Sequence, residues 1–245
     1  MSSKSDAFER PRRFYKVVDT GPQGDGFAVR LDGRVPKSPG GHPLVLPTAA
    51  LAELIAAEWA GQGEIIDIPA MAATRLAYTA LDAVSAHRAE TAAQVAAYAG
   101  SDLLCYFAET PRALVQRQER LWAPLLRWAE DDLGLAFVRT AGVIHQPQPP
   151  ATIAGVQALA EAEDDFALVG LAFGAAHFGS AILALALRRG RINGDEAFQL
   201  SRLDETFQEE QWGVDAEAAA RADAMAADAV MLERWFQALG QDVEH

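Results

Sequence analysis

The chain has 245 residues, half of them hydrophobic, with a formal net charge of −13 and a pI near 4.8. This length and apolar content suit a folded protein of one or two domains and argue against disorder, while the acidity argues against a nucleic-acid surface, which needs clustered lysine and arginine. A single cysteine, Cys105, excludes an internal disulfide; it sits beside Leu104 and Tyr106 in an apolar run, the setting of a buried structural thiol.

The opening residues, MSSKSDAFERPRR, have no apolar centre and so do not read as a signal peptide. The expected location is the reducing cytoplasm, or the mitochondrial matrix if the source is a eukaryote. A strand is predicted over Arg13 to Val18, then a turn-rich DTGPQGDG, then a second strand in which Phe27, Val29 and Leu31 alternate with Ala28 and Arg30. Asp32-Gly33 is a tight-turn signal, and Leu44 to Leu46 a third strand, giving a small antiparallel sheet. Gly21, Gly24 and Gly26 precede a strand rather than a helix and lack a following Lys-Ser or Lys-Thr, so they read as a hairpin turn and not a phosphate loop. Thr48 is placed to cap a helix carrying Leu51, Leu54, Ile55, Glu58 and Trp59 at helical spacing and ending at Gly61 to Gly63. The extended EIIDIPAM that follows marks the expected boundary between an α+β domain, 1–70, and a mainly α-helical domain, 71–245.

Beyond Met71 the pattern is helical. One helix is predicted over Arg75 to Ala97, a capped apolar run after Ser101-Asp102, and one helix from Pro111 to Gly134 with Leu114, Leu121, Trp122, Leu125, Leu126 and Trp128 on its apolar face. An extended connector, AFVRTAGVIHQPQPP, leads to a helix from Thr152 to about Glu163. Phe166 to Leu187 is apolar on every face, broken only by His177 and Ser180, with Asp164 and Asp165 before it and Arg188, Arg189 and Gly190 after it. This reads as one helix of about six turns that must be enclosed. Its length could span a bilayer, and Gly170 and Gly174 form a GxxxG. Against a membrane stand the isolation of the segment, the missing aromatic belts and the flanking acidic pair, so a buried core helix approached closely at its glycines is preferred. Helices over Glu196 to Gln211 and Asp215 to Leu239 complete the chain.

The histidines at 42, 87, 145, 177 and 245 have no HxxxH or ExxH spacing, so no metal site is expected, nor any cofactor. GxSxG, CxxC and Walker A sequences do not occur. His177 could serve as a general base, but a hydrogen-bonded core histidine is the simpler reading. The polar run from Leu200 to Glu217 stands out: Leu200, Leu203 and Phe207 share a helical face, Glu205 and Glu209 lie one turn apart, and Glu210 borders the apolar stripe. Paired carboxylates at Glu205 and Glu210 could run acid/base chemistry in a hydrolytic enzyme if burial raised one pKa. They could equally form a solvated face, and Trp212 beside them suits a protein partner with a basic, partly apolar patch.

The ordered motifs RFYK, FAVRLDGR, PLVLPTAALAELIAAEWAGQGE, TRLAYTALD, YAGSDLLCY, RQERLWAPLLRW, GSAILALAL and LDETFQEEQWG resemble, from about Arg13 to Glu217, the assembly chaperones for the α subunit of F1-ATPase. The resemblance implies a non-catalytic chaperone that holds the free α subunit until it pairs with β, an α+β domain followed by a helical one, and no cofactor. It carries the family's acidic contact segment onto Asp204, Glu205, Gln208 and Trp212-Gly213, with Glu205 foremost and Glu210 less fixed by the pattern. Glu58 and Trp59 match an EW motif with a structural role at the domain junction. The loop GRVPKSPGG and Tyr78 depart from the family pattern. A monomer is expected in the absence of the partner, with no membrane insertion.

Overall fold

The structure is a computed structural model that describes residues 11–142, 144–213 and 216–240. At the amino-terminal end, β1 (Val18–Gln23), β2 (Gly26–Leu31) and β3 (Val45–Leu46) form an antiparallel sheet in the order β1-β2-β3. The hairpin turns at Gly24-Asp25, where Gly24 adopts φ 58, so β1 shares only Val18 with the expected strand Arg13 to Val18 and otherwise falls on residues expected to be turn. The earlier segment is held differently: Arg12 bridges to Ile65, and the Asp32 carboxylate accepts from the amides of Lys16 and Val17. Asp32 and Gly33 both take positive φ and reverse the chain, which is why an Asp-Gly pair stands there. The departing loop after it is tied to Asp82, whose carboxylate accepts from Ser38 Oγ, Gly40 N and His42 Nδ1.

Helix α1 (Ala49–Ala60) lies on this sheet, with Leu51, Ala52, Ile55 and Trp59 buried against it. Thr48 caps it as its sequence implies, accepting from Leu51 N at 3.1 Å, and its hydroxyl also donates to the carbonyl of Ala238 at 2.6 Å. The fold is thus a small antiparallel sheet with one helix on it followed by a mainly helical region, and its buried apolar cluster is continuous from Tyr15 to Phe236.

Several predicted long helices are cut in two. Arg75 to Ala97 becomes α2 (Ala72–Asp82) and α3 (Arg88–Gly100), separated by a 3-10 turn at Val84–Ala86. Pro111 to Gly134 becomes α4 (Arg112–Leu121) and α5 (Ala123–Leu133), which ends on Gly134 in the left-handed conformation as expected. The break at Trp122 lets its indole turn inward and donate to Leu200 O at 3.0 Å. Strands β4 (Tyr106–Phe107) and β5 (Thr140–Ala141) pair in parallel within the connecting segments, and α6 (Pro150–Ala162) follows.

The central apolar stretch is also not one helix. It forms α7 (Asp165–Phe178) and α8 (Ala181–Arg188), joined by Gly179 at φ 64. Asp164 caps α7 through the amides of Phe166 and Ala167, and Ser180 caps α8 through Leu183 N. The corner is fixed from outside: the fully buried Asp102 carboxylate accepts from Ser180 Oγ at 2.6 Å, Ile182 N at 3.0 Å and Leu104 N at 3.1 Å. Burial pushes the Asp102 carboxyl up to about 6, against those hydrogen bonds, and pushes the neighbouring Cys105 thiol up as well. The expected close approach at the GxxxG glycines is present. A Cβ on Gly170 would meet the Phe236 ring at 2.7 Å, and one on Gly174 would meet Leu232 at 2.9 Å, both on α11 (Ala216–Leu239). No helix of the described residues is long and apolar enough to cross a membrane. Arg188 is itself buried, its guanidinium 2.9 Å from Glu163.

Candidate functional site

The last predicted pair resolves into three helices: α9 (Gly194–Ser201), α10 (Leu203–Trp212) and α11, with Asp215 outside the described residues. Asn193 and Glu196 form a capping box on α9, and the chain breaks at Arg202 before α10 begins. Leu203 is the buried anchor of α10, and Asp204 and Glu205 occupy its first turn, where the helix dipole favours negative charge. The helix ends at Gly213, φ 82, leaving Trp212 at its last position 87% exposed.

Three of the four carboxylates on α10 are engaged by the protein itself. Asp204 accepts from Gln118 Nε2 at 2.7 Å, and burial raises its carboxyl above the ordinary range. Glu209 pairs with Arg202 at 2.6 Å, which relieves the repulsion expected from its spacing to Glu205. Glu210 takes both arms of the Arg117 guanidinium at 2.8 Å, and that bond holds it below the usual carboxylate range. Arg117 also lies over the Phe207 ring, 5.3 Å from its centre. Glu205 is exposed and has neither ion pair nor hydrogen bond among the described residues.

Helix α10 therefore separates two clefts. Trp212, Gln208 and Glu210 line one of about 810 Å³ together with Pro111, Leu114 and Arg117. Glu205 lines another of about 550 Å³ with Tyr106, His177 and Met225. The two carboxylates considered for acid/base work thus face different clefts, and Glu210 is an ionised partner of arginine without the raised pKa a proton donor needs. His177 stacks on Phe173 at 5.3 Å and its Nε2 lies 2.9 Å from Met225 O, a tethered histidine between α7 and α11. No three His, Cys, Asp or Glu side chains among the described residues come close enough to hold a metal ion.

Glu58 and Trp59 sit elsewhere, on α1. The amino terminus of α2 has no cap from its own side chains; the Glu58 carboxylate supplies one, accepting from Ala73 N at 2.8 Å and from Thr74 N and Oγ1 at 2.7 Å. Trp59 is buried edge-on against Tyr15, and its backbone carbonyl accepts from Tyr15 Oη at 2.7 Å. Glu58→Ala is expected to lower the melting temperature through a loss of about 1–2 kcal/mol, the usual cost of a deleted cap; an unchanged melting curve would show that water replaces the carboxylate there.

One residue of the site is not foreseen from sequence. Gln118, fully buried, accepts from Ala108 N at 2.8 Å while donating to Asp204, and so joins β4's end, α4 and α10. A glutamine in the polar run RQER has no sequence signal for such burial.

A family model described as ATP12 chaperone protein matches residues 12–130. The chain is 42% identical to Atp12 from Paracoccus denitrificans, whose crystal structure it superposes on with a TM-score of 0.85, covering 92% of this chain and 97% of that one. The Atu1473 protein of Agrobacterium tumefaciens gives 38% identity and a TM-score of 0.87 over 94% of this chain and 86% of that one. Among curated relatives, mitochondrial protein atp12 of Schizosaccharomyces pombe is 27% identical over 214 residues, 82% of this chain and 74% of its own length. Fold, motifs and relatives agree with the resemblance drawn from the sequence: the chain belongs to the ATP12 chaperone family, the assembly chaperones of the ATP synthase F1 sector.

Proposed function

We propose that this protein binds the free α subunit of F1-ATPase and keeps it from aggregating until it pairs with β, without catalysing a reaction. The observation that carries this reading is the pairing, on one short helix, of an indole left 87% exposed with a glutamate that the fold leaves without a partner. Exposed apolar surface of that kind suits a protein interface, and an unpartnered carboxylate two turns away on the same helix suits a basic side chain on the other molecule. The contact residues are Asp204, Glu205, Gln208, Glu210 and Trp212. Within the group, Glu205 and Trp212 meet the partner directly, and Asp204 and Glu210 hold α10 in place through Gln118 and Arg117. Residues 1–70 act as a brace, joined through Glu58 to the helical region 71–245 that presents α10. The cytoplasm of a bacterial-type cell is the compartment in which it works.

Light scattering by isolated α subunit at an equal amount of this protein tests the reading. Suppression is expected, and Glu205→Lys, a change at an exposed position that leaves the protein folded, is expected to weaken it. Undiminished suppression by that variant removes Glu205 from the contact, and no suppression by the unaltered protein removes the α subunit as client.

A further inference from the structure

A third cleft, of about 360 Å³, lies where the end of α4 and the start of α5 meet the loop between α8 and α9. It shares no lining residue with the two clefts beside α10. Its floor is aliphatic, made of Leu121, Leu125, Ile192 and Leu200, and its rim carries Arg120 and Arg191. The floor is held rigidly from below by the Trp122 indole, which donates to Leu200 O.

Several guanidiniums of this acidic chain are taken up by an internal carboxylate: Arg88 by Asp165, Arg117 by Glu210, Arg188 by Glu163 and Arg202 by Glu209 among them. Arg120 and Arg191 are both exposed and neither forms an ion pair among the described residues. Glu196 reaches the same rim, but its carboxylate accepts from Asn193 N at 2.9 Å in the capping box of α9. Two cations from positions 71 apart in the chain thus share the rim of one apolar floor, outnumbering the single carboxylate of Glu196, with which neither forms an ion pair.

We infer that this cleft binds a polypeptide segment bearing an acidic side chain next to an aliphatic one, the carboxylate held between Arg120 and Arg191 and the aliphatic side chain laid on Leu121 and Leu200. Guanidinium forks match carboxylate geometry, and an aliphatic floor favours a branched apolar neighbour. Leu121 remains 39% exposed, so the floor is open to solvent, which suits two side chains of a passing chain rather than an enclosed small molecule. Having no wall in common with the Glu205 cleft, it is a separate foothold, and it does not depend on the identity of the client.

The test is an NMR titration of the full-length protein with an end-capped hexapeptide carrying a central Glu-Leu pair in an alanine-serine background, followed at the indole N–H of Trp122 beneath the floor. A saturable shift at Trp122 is expected, weakening as salt rises. The Gln-Leu peptide is expected to bind at least about tenfold more weakly, and Arg120→Glu with Arg191→Glu together to abolish the shift while the indole signals of Trp128 and Trp235 stay in place. Equal binding of the Glu-Leu and Gln-Leu peptides, binding retained by the double variant, or no saturable shift in the unaltered protein would each overturn the inference. Because the probe is a synthetic peptide, its result is independent of whether the α subunit is protected.

Discussion

Replacing Asp102 by alanine is expected to cost the folded chain about 3–5 kcal/mol, because it strands several buried donors at once. The Ser180 hydroxyl and the amides of Ile182 and Leu104 all point at this carboxylate inside a site with no exposure to solvent. The loss has a pH signature. Burial raises the folded carboxyl from 3.8 to about 6, so between those values the folded state holds a proton that the unfolded chain has released. Stability from this group is therefore fully present near pH 4 and declines as pH rises through 6. The gap between the unaltered protein and Asp102→Ala, measured by denaturant unfolding, should be widest near pH 4 and narrowest above pH 6. A gap below about 1 kcal/mol, or one that widens toward neutral pH, would contradict the assignment.

Gly194→Ala is expected to destabilise by about 1–3 kcal/mol, although alanine is the better helix former by about 1 kcal/mol. The added Cβ would sit 2.6 Å from Ala229 O and 2.9 Å from Ala229 C and Val230 Cα. All three are backbone atoms of α11, so no side-chain rotation makes room, and overpacking outweighs propensity. The displaced first turn of α9 would also loosen the bond from Gly194 N to Glu233 Oε2, now 2.9 Å. A lowered denaturation midpoint checks this; an unchanged midpoint would mean that α9 and α11 slide apart without cost.

These two residues show where sequence reading reaches and where it stops. Thr48 and Gly134 are legible because caps and left-handed stops act within a turn of their own position. The GxxxG glycines are legible as places of close approach, though not as facing Phe236 and Leu232. The corners at Gly179, Trp122 and Arg202 escape because what fixes them is remote: Asp102 holds Ser180 from 78 positions away, and Leu200 receives the Trp122 indole across the same separation. Apolar periodicity runs through such points without a sign. The β1 residues Val18 to Gln23 carry glycine and proline, which read locally as turn, yet pairing with β2 overrides that preference. At the site, the acidic run of α10 is visible as charge, but the division of its carboxylates into three engaged and one open depends on Gln118, Arg117 and Arg202, which only the folded chain brings near.

The corner at Gly179 also limits how far the apolar run can reach. Straightened into one helix, Phe166 to Leu187 would reach about 33 Å, enough to be retained as a stop-transfer segment by a translocation channel. Folded at the corner, its arms of 14 and 8 residues reach only about 21 and 12 Å, and neither crosses hydrocarbon about 30 Å thick. Asp102 precedes Ser180 by 78 positions, so the acceptor that fixes the corner is synthesised before the greasy run that it bends.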